Sequence, residues 1–470
     1  MQKISSNFVK SPFWFINLII FLLPTYLVRF KIFGFPTNLL EVMIGVLVLM
    51  RIIRGIRRNY EDYEEQKNHK GYKGFNGFND HQLLFVGIIL LILGATISTI
   101  FSIDKITSAG ILKSWIFLPV LFFLIIIDKD TEILRGVYNE RKRIGQNDNK
   151  FLKIYSILKS FVLSGFAVAL ISIFYLIQKN LTYDGRLKAF FLHPNHLAMY
   201  LAPAWLMAYS LWLMTKKSLE KTLWLFIVLV ISFSLYFTYS YGAWIGIIGG
   251  IIFIWGNKNE DTRNKGDKWG KWERKKYFNF RTLISLLVLL SLLTLIVLLQ
   301  FHSPKLQNIL TSERSSFHSR LMVWHSAIHI LKDHWLLGIG PGMFQKYYLN
   351  YQQFFPPYLE WAAPQPHNLF LAFWLQTGIM GLIGFIMILV WFYKKGIQGI
   401  RGLKGINGDK KNASQIYVRL ILMSIMTYIL IHGLIDTPYW KNDLSMIFWI
   451  IIGAQRLKGL KGINEIKEKN

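Results

Sequence analysis

The sequence predicts an all-α polytopic membrane protein with about twelve transmembrane helices and one large loop outside the membrane. Three observations carry that expectation. Hydrophobic residues make up 53% of the 470 positions and charged residues only 17%, with a mean hydropathy of +0.34, so a water-facing surface of ordinary charge density cannot be built. Long stretches contain no Asp, Glu, Lys or Arg. The basic residues also cluster in alternate connections between those stretches.

The spans can be taken in order. Uncharged runs cover 11–28, 82–103, 160–178, 282–304 and 361–393. Each is long enough to cross about 30 Å of hydrocarbon at roughly 1.5 Å per helical residue. The run 222–257 is 36 residues long, too long for one crossing. It breaks at Tyr239-Ser240-Tyr241-Gly242 into two helices joined by a tight turn. Twelve spans are expected, beginning near residues 11, 37, 82, 106, 154, 195, 222, 241, 282, 368, 417 and 443. The fourth carries Lys113 in its outer half, and the twelfth is the shortest. The first apolar run has no small-residue cleavage site and is followed directly by a second, which argues against a cleaved signal peptide.

The same reading divides the chain. Spans one to nine occupy 1–300, the large outer loop 301–367, spans ten to twelve 368–456, and a basic tail 457–470.

Orientation follows from the basic residues. With the N-terminus inside, 40 of the 54 Lys and Arg fall on the cytoplasmic side and 13 on the outer side, with Lys159 at an inner helix end. That excess is the positive-inside pattern, and it places both termini in the cytoplasm. The formal charge of +28 therefore marks topology, and no nucleic-acid partner is expected. The basic loops are repetitive: Gly402-Leu403-Lys404-Gly405-Ile406-Asn407 recurs at 459–464, and 71–79 is similar. Topogenic charge accounts for them without a lipid-headgroup or nucleic-acid ligand. Asp128-Lys129-Asp130 has the look of an acidic metal pair, but it lies on the cytoplasmic side beside further lysines and reads as a solvated helix end. The absence of cysteine excludes a disulfide scaffold and thiol chemistry and leaves the compartment open.

The 301–367 loop is rich in aromatic residues and regular in pattern. Leu321, Trp324, Ile328 and Leu331 have helical spacing and predict an amphipathic helix packed on the membrane domain. Gly338-Ile339-Gly340-Pro341-Gly342-Met343-Phe344 predicts a turn, since three glycines and a proline break a helix. Pro364-Gln365-Pro366 keeps the chain extended up to His367, and Asn368 is placed to cap the tenth span.

That arrangement has chemical content. Even-numbered spans run inward, so their N-termini, with free N–H groups, face the outer surface. Span six starts at His193-Pro194-Asn195-His196, span eight near Ser240-Tyr241-Gly242 and span ten at His367-Asn368. Helix N-termini favour phosphate. With Arg186 and Arg320 on the same side, these starts form a candidate site for an anionic lipid headgroup such as a pyrophosphate. Taken singly, an outer arginine is more often a surface anchor, and any one of the loop histidines more often a packing residue. Glu41, and Asp436 with His432, are ionisable groups near outer helix ends, and structural and functional readings weigh about equally for them.

Several blocks then resemble a known family. Arg320-Leu321-Met322-Val323-Trp324, followed by His334-Trp335-Leu336-Leu337-Gly338-Ile339-Gly340-Pro341-Gly342-Met343-Phe344, resembles the large periplasmic loop of the O-antigen ligase and O-antigen polymerase superfamily. Pro366-His367-Asn368-Leu369 through Gln376-Thr377-Gly378-Ile379-Met380-Gly381-Leu382 resembles its most recognisable motif. Arg186 with Pro194-Asn195-His196-Leu197-Ala198 matches the pattern before span six, and Tyr239-Ser240-Tyr241-Gly242-Ala243-Trp244 resembles its Ser-Arg-Gly-Ala-Trp turn. The blocks occur in the family's order across nearly the whole chain. Two positions depart from it: Gln376 stands where many members have Glu, and Tyr241 where many have Arg.

The resemblance implies a glycosyltransferase of GT-C-like fold in the bacterial plasma membrane, inverting, metal-independent and without a cofactor. Its donor would be a glycan on undecaprenyl pyrophosphate, and its acceptor a hydroxyl on a lipid core, another glycan or a protein. His367 would be the catalytic residue, and Arg186 and Arg320 the pyrophosphate binders. Asn195, His196, Ser240 and Asn368 would line the substrate site. Ligase, polymerase and protein O-oligosaccharyltransferase remain alternatives within the family. A twelve-span secondary transporter is the alternative outside it, disfavoured by scarce mid-membrane charge and the absence of repeated halves.

Overall fold

The computed structural model describes residues 13–32, 34–65, 80–127, 141–215, 217–258, 316–352, 363–404 and 410–456. The ninth expected span, the Asp128-Lys129-Asp130 segment and the repeats at 71–79 and 459–464 lie outside them.

The chain is an all-α polytopic membrane protein. In chain order its helices are α1 Phe13–Phe21, α2 Leu39–Glu65, α3 Asp80–Ile100, α4 Lys105–Ile127, α5 Arg141–Ile177, α6 Pro194–Met214 and α7 Ser218–Phe237. There follow α8 Tyr241–Lys258, α9 Ser316–His334, α10 Phe344–Tyr351, α11 Leu369–Lys404, α12 Lys410–His432 and α13 Asn442–Arg456. Among the described residues, seven helices are long and apolar enough to cross a membrane, those of α3 to α7, α11 and α12. The break expected at Tyr239-Ser240-Tyr241-Gly242 separates α7 from α8.

Two elements differ from expectation. The first apolar run is not one span. Pro24, which has no N–H to donate, turns the chain from α1 into the 3₁₀ segment Leu23–Leu27. A small antiparallel hairpin follows, β1 Arg29–Ile32 and β2 Phe35–Asn38, with Arg29 opposite Asn38. Its residues are too few and too exposed to show as a two-residue alternation. The second difference is α13, which has only 15 residues and is enclosed by neighbours along its length, with every residue from Asp443 to Gln455 buried.

α3 and α11 pack along their lengths through glycine. A Cβ on Gly94 would stand 2.5 Å from the Gly381 nitrogen, and one on Gly384 would stand 2.5 Å from the Gly87 oxygen. Helix backbones can approach this closely only where side chains are absent, which is how small residues join helices in a lipid solvent that supplies no hydrophobic drive between them.

α4 contains a π-helical turn, Lys113–Phe117. Pro119 follows it, so Trp115, four residues earlier, loses its usual backbone donor. The Tyr439 hydroxyl donates to the Trp115 oxygen instead, at 2.9 Å. The Trp115 indole N–H donates to Asn442 Oδ1 at 2.9 Å. This ties α4 to the segment that leads into α13. In the same turn Lys113 meets Glu41 at 2.8 Å, and Ser114 and Thr37 also donate to that carboxylate. Glu41 and Lys113, the two conspicuous charges of early spans, answer each other.

Candidate functional site

Four connections meet at one end of the bundle: 178–193 before α6, the α7–α8 turn, the segment before α11, and 433–441 between α12 and α13. The first of them holds Arg186. Thr182 and Gly185, the latter at φ +72, close a turn in which Thr182 N–H donates to the Arg186 carbonyl at 3.0 Å. Leu187, fully buried, donates its N–H to the Phe237 carbonyl at 2.8 Å. Arg186 is thereby carried to the α7–α8 turn, where its Nε donates to the Thr238 oxygen at 2.8 Å.

From there a continuous polar chain runs to the histidine. Arg186 Nη2 donates to Asn195 Oδ1 at 2.5 Å, Asn195 Nδ2 donates to Asp436 Oδ2 at 2.9 Å, and Asp436 Oδ1 faces His367 Nδ1 at 3.3 Å. The Thr437 N–H also donates to Asp436 Oδ1. A proton on His367 Nδ1 points at the carboxylate, which leaves Nε2 as the acceptor nitrogen. Arg320 enters from α9, with its Nε donating to the Ile435 oxygen at 2.8 Å, the residue just before Asp436. Asn368 caps α11: its Oδ1 accepts from Phe370 and Leu371 N–H groups at 3.0 and 3.1 Å, and its Nδ2 donates to the Leu434 oxygen.

The electrostatics follow from burial and proximity. Burial alone would raise the Asp436 carboxyl. Its hydrogen bond to His367, with the charges of His367, His432 and Arg320, overrides this and holds it well below the usual carboxylate range. Burial lowers the Arg186 guanidinium; Asp184 opposes that shift and Arg320 adds to it. The two guanidiniums therefore feel each other, though an arginine so shifted remains protonated. Burial also pushes His193 and Lys441 down, towards their neutral forms.

Backbone strain collects here. All four described non-glycine residues at positive φ sit in the connections that converge on the site: Lys179 at +56, Ala189 at +49, Tyr239 at +47 and His367 at +47. Such conformations cost of order 1 kcal/mol or more and persist only where their surroundings enforce them. For His367 the surroundings include Trp324, whose indole N–H donates to the His367 carbonyl at 3.3 Å.

Residues 225–386 match the family model described as O-antigen ligase. That match supports the likeness to the O-antigen ligase and polymerase superfamily. The match covers about a third of the chain and includes Arg320, His367 and Asn368. Arg186, Asn195 and Asp436 lie outside the O-antigen ligase segment and reach it through the fold. No curated protein matches the chain closely enough to be counted as a relative.

Among the residues expected from sequence, Arg186, Asn195 and His367 join one hydrogen-bonded chain, and Arg320 and Asn368 attach to the 434–436 backbone beside it. His196 does not. Its ring is buried, with Nε2 at 3.1 Å from both Asp443 oxygens and 3.4 Å from the Tyr26 hydroxyl. One helical residue separates it from Asn195, and that rotation of about 100° turns it to the opposite partner. Ser240 is buried and starts α8 with its backbone: its oxygen accepts from Ala243 and Trp244, and its N–H donates to Thr238 Oγ1. It stands next to the turn that holds Arg186.

The helix of the large loop also differs in detail. Ile328 is 46% exposed, and the face of α9 that packs is Val323, Ala327, Ile330 and Leu331, against Ile339, Phe344, Tyr348 and Leu375. Ala327 carries too little apolar weight to mark that face by pattern. The glycine turn is as expected, with Gly338, Gly340 and Gly342 all at positive φ. What the sequence left undecided is Asp436, which now stands between His367 and Asn195. An acid directly after Ile435, just beyond the end of a span, was the signal available.

Proposed function

We propose that the chain transfers or polymerises a glycan from an undecaprenyl-pyrophosphate donor onto a hydroxyl acceptor, at the outer face of the bacterial plasma membrane. Twelve spans with both termini in the cytoplasm belong to this reading. The match of 225–386 to the O-antigen ligase family model supports glycan transfer in general. The single observation that carries the finer reading is the chain Arg186–Asn195–Asp436–His367, with a second guanidinium, Arg320, attached beside it.

The geometry suits an inverting displacement. Asp436 holds the His367 ring by Nδ1, so Nε2 can take the proton of an acceptor hydroxyl. The acceptor oxygen then bonds to the anomeric carbon as the bond from that carbon to the pyrophosphate oxygen breaks. The departing pyrophosphate keeps the electron pair. Arg186 and Arg320 meet its growing charge, and two cations that repel each other when the site is empty are relieved by an anion between them. The products are the lengthened or ligated glycan and undecaprenyl pyrophosphate, with the proton on His367.

The test is a strain lacking the chromosomal gene and supplied with His367→Ala in trans. Surface glycan is absent although the variant reaches the membrane fraction at wild-type level; normal surface glycan overturns the assignment. The same strain without any copy separates ligase from polymerase. Single repeat units on the acceptor indicate a lost polymerase, and bare acceptor with long carrier-linked chains a lost ligase.

A further inference from the structure

α11 is not one helix. Gly378 stands at φ +66 and ψ −178, and the ladder is interrupted there. The segment after α9 fills the gap: Ile339 N–H donates to the Leu375 oxygen at 2.7 Å, and Ile379 N–H donates to the Leu336 oxygen at 3.2 Å. The two strands of backbone approach so closely that a Cβ on Gly338 would lie 2.6 Å from the Gly378 nitrogen, and one on Gly378 would lie 2.5 Å from the Leu336 oxygen. The loop helix that carries Arg320 is thus clasped, at its far end, to the broken helix that follows His367.

One side chain crosses this clasp and continues to the histidine. Gln376 is fully buried. Its Oε1 accepts from the Gly342 N–H at 2.7 Å, and its Nε2 donates to Gln365 Oε1 at 2.9 Å. Gln365 is itself 6% exposed and lies two residues before His367, with only Pro366 between them. The histidine therefore has three fixings: Asp436 on the ring, Trp324 on the carbonyl, and the Gln365–Gln376 pair on the chain that leads in. His367 sits at a φ its side chain does not favour, so the approach must be held for the ring to stay against Asp436.

We propose that Gln376 is a positioning residue for the transfer reaction, setting the His367 ring through Gln365, with the Gly342 N–H anchoring its amide. This rests on the function proposed above. An amide suits the task because it accepts on one side and donates on the other. A carboxylate at either position can also be accommodated, since the remaining glutamine can turn its amide to donate. A leucine at either position removes the bond between the two and leaves the partner amide buried and unpaired.

The test uses the full-length protein in a double-mutant cycle. Transfer is read as surface glycan in the deletion strain. Binding of farnesyl pyrophosphate to purified protein in detergent serves as the donor-site probe, and hydrogen exchange over 363–368 as the structural readout. Gln376→Leu is expected to lower transfer at least tenfold, to raise exchange at 363–368 and to leave farnesyl pyrophosphate binding within about threefold. Gln376→Glu and Gln365→Glu each retain most of the transfer, whereas Gln365→Leu loses it, and the double leucine variant loses no more than Gln376→Leu alone. The inference is overturned if Gln376→Leu transfers normally, or if the losses in the two leucine variants simply add; should Gln376→Leu fail to fold, a Gln365→Leu variant that transfers normally overturns it. A wild-type protein that neither transfers glycan nor binds farnesyl pyrophosphate instead overturns the function on which the inference rests.

Discussion

His367 Nδ1 and Asp436 Oδ1 stand 3.3 Å apart although 69 residues separate them. The same carboxylate accepts from Asn195 through its second oxygen. One buried acid therefore orients the ring and, through Asn195, the guanidinium of Arg186.

Replacing that acid by its amide keeps the shape and removes the charge. Asp436→Asn should reduce glycan transfer by about two to four orders of magnitude, because the ring loses the partner that fixes its tautomer and stabilises its protonated form. Surface glycan measured at matched membrane abundance checks this. Transfer within twofold of wild type would remove Asp436 from the mechanism.

The carboxylate also predicts a pH dependence. Its folded pKa is depressed, so its contribution to stability is complete above the ordinary value of about 3.9 and is lost as pH falls through the folded value. Thermal melts of wild type and Asp436→Asn in detergent should stay apart between pH 7 and 5. They should draw together only below about pH 4.

Arg186→Lys and Arg320→Lys should each lose transfer and bind farnesyl pyrophosphate at least tenfold more weakly. A lysine retains the charge but cannot hold the Thr238 or Ile435 carbonyl while presenting a planar fork to phosphate. Isothermal titration with farnesyl pyrophosphate reads the affinity directly, and unchanged affinity in both variants argues against an anion between the two guanidiniums.

His196 should behave as a structural residue. Asp443→Ala leaves the buried imidazole, whose ring also faces the Tyr26 hydroxyl, without its carboxylate partner, and leaving a buried polar group unsatisfied costs about 1–3 kcal/mol. The variant should melt at a clearly lower temperature, while whatever protein remains folded binds farnesyl pyrophosphate normally. A stable variant with lost binding would return His196 to the site.

Much of this was legible in the sequence because membranes impose simple rules. Uncharged runs mark helices, Tyr239-Ser240-Tyr241-Gly242 divides two of them, and Pro364 to Asn368 announces a capped helix start behind an extended segment. Arg186 and His367 could be singled out as types, yet their connection could not. It depends on which way Asn195 and His196 point, a matter of one residue's rotation on α6, and on a carboxylate from α12's end that no spacing links to either. The buried face of α9 was missed for a related reason: Ala327 and Ser326 pack because they are small, and hydrophobic patterning does not register smallness. The hairpin Arg29–Ile32/Phe35–Asn38 escaped because its strands have four residues each and the first of them is exposed throughout.

α13 has a bearing on how the protein is made. At about 1.5 Å per residue its 15 residues reach roughly 22 Å, short of the hydrocarbon thickness, and they include Asp443, Ser445 and Gln455. Lipid is a poor solvent for such a segment. Among the described helices it is synthesised after every one that surrounds it, α4 and α6 included. Translation order thus delivers α13 to a cavity already lined with protein, so that its insertion is an act of folding rather than of partitioning.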